Sequence, residues 1–84
     1  NAQQADFTDA LFIRANLAGT HLTGANLTGS NFREADLVRA DLSQAILIGT
    51  LFPRAQLQGV TFRDSAAENL DFSNSTLQDI DFRP

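Results

Sequence analysis

The residues of this chain able to do chemistry are few and poorly placed for it. His21 is the single histidine, set between Thr20 and Leu22. An imidazole can activate a hydroxyl or thiol, but only with the nucleophile in reach and a third group orienting the ring. The chain has no cysteine and no nucleophilic serine near His21, so His21 reads as a surface residue. Asp6, Asn16, Asn26, Asn31, Asp36, Asp41, Asp71 and Asp81 recur at one phase and could form a ladder of oxygen ligands. They lack the clustered spacing of an EF-hand or a calcium-binding nonapeptide. Bonds to nearby backbone, or to water, are their expected use. Glycines 19, 24, 29, 49 and 59 match neither GxGxxG nor a P-loop. No catalytic residue, metal site or cofactor is assigned, and the chain is expected not to be an enzyme.

Two surface features remain. Arg14, Glu34 and Arg54 are spaced by twenty residues and should stack with alternating charge, as a solvated ion ladder of small energetic effect. Leu11, Ile13, Ile46, Ile48 and Leu51 are apolar at positions where this sequence is otherwise polar, with Pro53 just beyond. Several such residues on one edge are the candidate interface for a protein partner.

What positions these side chains is a strict period of five. The series Phe7, Phe12, Leu17, Leu22, Leu27, Phe32, Leu37, Leu42, Leu47, Phe52, Leu57, Phe62, Ala67, Phe72, Leu77, Phe82 breaks only at Ala67, and it holds all seven phenylalanines. In an α-helix five residues advance about 500°, which smears the series around the axis. In a plain strand an odd period alternates faces. The period works if each unit holds a short strand and a corner. The residue two before each Leu or Phe is usually small (Ala5, Ala15, Ala25, Ala35) and shares its inward face. The residue between them points outward. All five glycines lie two residues after a Leu or Phe, where a type II turn needs φ > 0, and Asp9, Asp64, Asn69, Asn74 and Asp79 share that phase. Pro53 sits one residue earlier, where the turn wants φ near −65°. Arg14, Glu34, Arg39, Gln44 and Arg54 also occupy the glycine phase, which predicts a different turn type at those corners.

Ala-Asp-Leu (35–37, 40–42), Ala-Asn-Leu (15–17, 25–27) and Ala-Asp-Phe (5–7) resemble the A-(D/N)-L-x-x motif of the pentapeptide-repeat family, over sixteen consecutive units. The resemblance implies an all-β fold: a right-handed, four-sided parallel β-helix of about four coils, with about twenty residues per coil. Four sides are also read from the residues. Sorted by twenty, one column is all Phe (12, 32, 52, 72) and one all Leu (17, 37, 57, 77), whereas sorting by fifteen mixes them. At a β spacing of about 4.8 Å four coils make a rod roughly 20 Å long with stacked rings. The fifteen Leu and Phe residues of the series are the expected core. Ala67 should leave a void that Leu70 partly fills, with a local bulge around residues 65–69.

With 84 residues and a net charge of −4, the chain is read as one domain, 1–84. Its acidity argues against a nucleic-acid or anionic-membrane partner, and no apolar run approaches a membrane span. The ends of a stacked repeat need covering; association with another chain, end to end or as a homodimer, or a longer parent protein, would do so. Pro84 could blunt the last edge strand. The expected function is a non-catalytic structural or protein-interaction module. The resemblance implies two alternatives: a DNA-mimicking inhibitor of a topoisomerase such as DNA gyrase, and a spacer or targeting domain. Against mimicry, four coils match about six base-pair steps, and Arg14, Arg33, Arg54 and Arg63 interrupt any acidic stripe. The resemblance also points to cyanobacteria and plastids, with the thylakoid lumen, periplasm or cytoplasm open as compartments for a soluble chain.

Overall fold

The structure, a computed structural model, describes residues 4–82. Pro84, expected at the last edge, lies outside the described residues. The chain returns to the same side every twenty residues. Parallel pairing joins Asp6 to Asn26 and Asn26 to Ile46 on the first side, and Leu11 to Asn31, Leu51 and Asp71 in turn on the second. Asn16, Asp36, Gln56 and Thr76 follow one another on the third side, and His21, Asp41, Thr61 and Asp81 on the fourth. The longest paired stretch is on the first side, where strand β1 (Ile46–Ile48) pairs in parallel with strand β2 (Ala66–Glu68). Among the described residues there is no helix.

The corners are uniform, which corrects the expectation of mixed turn types. Every fifth residue from Gln4 to Asp79 has positive φ, including Arg14, Glu34, Arg39, Gln44 and Arg54. Most corners close with a bond from the residue after the positive-φ position to the inward Leu or Phe, as in Ala10 N–H to Phe7 O at 3.0 Å. With φ > 0 only at the third residue, this is the type II pattern. Left-handed backbone costs a non-glycine residue about 1–2 kcal/mol. The offset is visible: the N–H of Arg14 bonds Arg33 O at 2.8 Å and that of Arg39 bonds Gln58 O at 2.8 Å. At Gly29 a Cβ would meet the carboxylate of Asp9 on the turn below, which would have to swing aside.

Inside, the large side chains stack level on level. The Phe12, Phe32 and Phe52 rings lie parallel with centroids 4.7 and 5.0 Å apart, and Phe72 follows at 5.4 Å. Leu22, Leu27, Phe32, Leu37, Leu42, Leu47, Phe52, Leu57 and Phe62 are buried, with Ala25, Ala35, Ala40, Ala45, Ala55 and Val60 beside them. Phe7, Phe12, Leu17 and Phe72 are half-buried against this core. Two expected core residues are not in it: Leu77 is 46% and Phe82 51% exposed. Both stand on the last described turns, where no further level covers them. The expected bulge near Ala67 is also absent, since Ala66–Glu68 pairs with Ile46–Ile48 without an inserted residue. Backbone bonds hold that register regardless of side-chain size. The corner that follows is irregular instead: Asn69 forms a bend rather than a hydrogen-bonded turn, as Asp79 also does. Leu70 and Ile80, at positions held elsewhere by alanine, pack against the core.

The body measures 26 × 25 × 24 Å, so it is a block rather than a rod. Its stability should rest on the middle levels. Phe32→Ala is expected to cost about 3–5 kcal/mol in urea unfolding, and Phe82→Ala less than a third as much. Equal costs would show that the stacked interior is not what stabilises the fold.

Candidate functional site

The outward face is built by a repeated local bond. The carboxylate or amide at the outward position accepts the backbone N–H two residues on: Thr8 to Asp6 at 3.0 Å, Thr28 to Asn26 at 3.1 Å, Arg33 to Asn31 at 3.0 Å and Val38 to Asp36 at 3.1 Å. Where that second residue is Thr or Ser, its hydroxyl donates to the same oxygen, at 2.7 Å for Thr8 and Thr28 and 2.6 Å for Ser43; Ser73 does so with Asp71. The Asp/Asn ladder therefore faces its own backbone. The Asx turn was expected from sequence, but the hydroxyl partner was missed. Its signal was present as Asp/Asn-x-Thr/Ser at 6–8, 26–28, 41–43 and 71–73.

These bonds stabilise the ionised acids. Asp6 and Asp71 are held below the ordinary carboxylate range, chiefly by the hydroxyls of Thr8 and Ser73. Asp41 is lowered first by the Ser43 hydroxyl, with the Ser43 N–H, Thr23 and neighbouring His21 adding to it, against a smaller opposing effect of burial. His21 itself is exposed and pairs in the ladder with Asp41. Among the described residues no group of three or more potential metal ligands comes together and no pocket forms.

The apolar candidates occupy two adjoining sides. Leu11 is 73% exposed, Ile13 46%, Ile46 38% and Ile48 39%, whereas Leu51 is only partly exposed. They do not form one continuous strip. Leu11 and Leu51 share a column, but Asn31 lies between them. At the third level Ile46, Ile48 and Leu51 wrap the corner between the first and second sides, with Pro53 at the next corner; at the first level Leu11 and Ile13 stand two steps away. Leu51 supplies no oxygen for the corner N–H, and the residue that would donate is Pro53, which has none. The ion ladder is realised in part. Arg14 reaches Glu34 at 3.5 Å, and the second partner is Arg33 at 3.7 Å rather than Arg54. Exposed pairs of this kind contribute about 0–1 kcal/mol.

The repeated unit is now defined: small inward residue, Asp or Asn turned onto its own corner, large inward residue, and two corner residues with the second at positive φ. The family model for pentapeptide repeats (8 copies) matches residues 5–44 and 35–74. The chain belongs to the pentapeptide-repeat family. Among solved structures it is similar to HetL, a pentapeptide repeat protein involved in heterocyst differentiation regulation from the cyanobacterium Nostoc sp. strain PCC 7120. The identity is 22% and the TM-score 0.55, over 93% of this chain and 47% of that one. A pentapeptide repeat protein of the cyanobacterium Cyanothece 51142 shows 20% identity and a TM-score of 0.34, over 95% and 58% of the two chains. One from the Arabidopsis thaliana thylakoid lumen shows 27% and 0.32, over 89% and 61%. This pentapeptide-repeat chain thus spans about half to three-fifths of the length of these structures. Comparison with curated proteins gives no match. Among the described residues no helix is long and apolar enough to cross a membrane.

The lowered acids set a pH dependence. Their folded values lie below their unfolded ones, so the folded state binds fewer protons through the carboxylate range. Their contribution is fully present above about pH 4 and is lost as pH falls through the folded values. The urea midpoint is expected to drop between pH 5 and pH 3, both values being about one unit either side of the ordinary range. Asp41→Asn keeps the acceptor without the titration, as Asn26 does, and should reduce that drop. An unchanged drop would remove Asp41 from the account.

Proposed function

We propose that this chain is a non-catalytic interaction module. Its repeat commits the backbone to holding a rigid block, and its partner contact is the apolar edge of Leu11, Ile13, Ile46, Ile48 and Leu51. The observation that carries this reading is the exposure of four large aliphatic side chains at positions where the repeat mostly places polar ones. Exposed apolar surface beside a polar rim is the usual composition of a protein contact. The outward acids Asp6, Asp36 and Asp41 each have one carboxylate oxygen engaged by their own corner, which gives them a structural use. Gyrase-type mimicry finds no support in the charge pattern: Arg14, Arg33 and Arg54 crowd one edge, and no run of free carboxylates follows a side.

A photo-reactive amino acid in place of Ile48 should give a discrete cross-linked partner in an extract of the source cells. The same label in place of Thr76, on the third side, should give none. Equal labelling from both positions would sink the edge as the contact. Light scattering on the purified chain decides whether the partner is a second copy. The apolar patches are small beside the roughly 800 Å² per partner of a standard interface, so a monomer is expected at micromolar concentration. A dimer abolished by Ile48→Asp would assign the edge to self-association.

A further inference from the structure

Resting on that reading, we infer that the corner between the second and third sides binds an acidic amphipathic helix laid along the stacking axis. Three consecutive turns present a small grid there. The first carries Leu11, Ile13 and Arg14, the second Asn31, Arg33 and Glu34, and the third Leu51, Pro53 and Arg54. The grid is fixed by the ladder: Phe12 N–H bonds Asn31 O at 2.8 Å and Phe32 N–H bonds Leu51 O at 2.7 Å. Arg14 N–H bonds Arg33 O at 2.8 Å and Glu34 N–H bonds Pro53 O at 3.0 Å. Asn31 is turned onto its own corner by the Arg33 N–H, which leaves Arg33 and its ion partner Glu34 as the groups offered at the second turn.

Charge and spacing name the partner. Over these three turns three arginines against Glu34 give +2 in a chain whose total is −4, so the rest of the chain carries −6; Asp71, one step beyond Leu51, bounds the patch at that end. An acidic partner is repelled by the rest of the surface and attracted here. The apolar residues lie on the first and third turns, about 9.6 Å apart at two ladder steps. A helix spans about 10.5 Å between residues i and i+7, with i+3 and i+4 midway. Apolar side chains at i and i+7 would seat on Leu11–Ile13 and Leu51–Pro53, and carboxylates at i+3 and i+4 would meet Arg33, Arg14 and Arg54. Glu34 holds Arg14 and Arg33 at 3.5 and 3.7 Å in the free protein and competes for them. Nucleic acid is disfavoured because all the phenylalanines belong to the inward series, so no aromatic ring on this edge is offered for stacking.

The test is a stapled 15-residue Ala/Gln helix with Leu at i and i+7 and Glu at i+3 and i+4, titrated by fluorescence anisotropy. Saturable binding is expected, weakened about tenfold by Arg33→Glu and severalfold by Leu11→Ser, and tightened about threefold by Glu34→Gln. Each variant's urea midpoint should stay at the wild-type value, because these side chains are outside the core. No binding, binding that ignores Arg33→Glu and Leu11→Ser, or equal binding of the Lys-for-Glu peptide would overturn the inference. So would preferential binding, abolished by Arg33→Glu, of phosphatidylserine vesicles or of a single-stranded oligonucleotide, which would reassign the edge to a lipid or nucleic-acid surface. If the peptide fails while the cross-link from position 48 persists, only this inference is lost. If both fail, the interaction-module reading falls with it.

Discussion

The structure depends on one constraint: the backbone of each turn must bond the turn twenty residues away. The unit Ala25–Gly29 shows how completely this is met. The Asn26 N–H goes back to Ala5 O, while those of Leu27 and Gly29 go forward to Ile46 O and Ile48 O. The Ala25 N–H closes the preceding corner on Leu22 O, and the Thr28 N–H is taken by the Asn26 side chain. All five donors are satisfied, as a closely packed backbone requires. Only one of the five needs a side chain, and that need explains Asp or Asn at the outward position.

The same ladder explains why the corners do not vary with their residues. Arg39 and Gly59 occupy one column with φ of 62° and 73°, although glycine tolerates that region far better. At the corners from Gln4 to Gly59 an inter-turn bond offsets local preference, so long side chains are carried on left-handed backbone; Asn69, Asn74 and Asp79, types that tolerate this region, keep it on the last turns. Glycine then matters for room. A Cβ at Gly59 would come within 3.2 Å of Arg39 Cγ, so the arginine below has space to lie across it. Small and large corner residues thus alternate in part of the stack.

Much of this was legible because a five-residue period admits few solutions. The four sides, the inward Phe and Leu columns and the location of the corners follow from spacing alone. The turn type at Arg14 or Gln44 did not, because residue preference is a local signal and the deciding bond is made to a residue nearly twenty positions away. The bulge expected at Ala67 failed for the same reason: register belongs to the backbone, and a missing side chain does not move it. Burial at Leu77 and Phe82 was misjudged because periodicity reports which way a side chain points but not whether another turn lies above it. For the candidate interface, sequence identified the apolar residues. Its twenty-residue columns already set Leu11 and Leu51 two turns apart with Asn31 between them, as the pairing has it, but they did not show that Arg33 joins Arg14 at Glu34.

Function must therefore be sought where the repeat is broken rather than where it is kept. An outward Asp or Asn stabilises its own corner by a bond of about 1 kcal/mol. Leu11, Ile46 and Leu51 provide no such acceptor, so the corner donors of Ile13 and Ile48 have no outward side-chain oxygen to receive them, and at Pro53 the donor is absent. Leu11, 73% exposed, adds little to the core in exchange, whereas Ile46 is exposed over 38% of its surface. On the proposed reading, a side chain that offers its own corner no acceptor is one placed for a surface outside the chain. Arg14, Arg33 and Arg54 stand at the corner beside Leu11 and Leu51, not beside Ile46 on the first side, so in the proposed contact only the second-side part carries a positive sign.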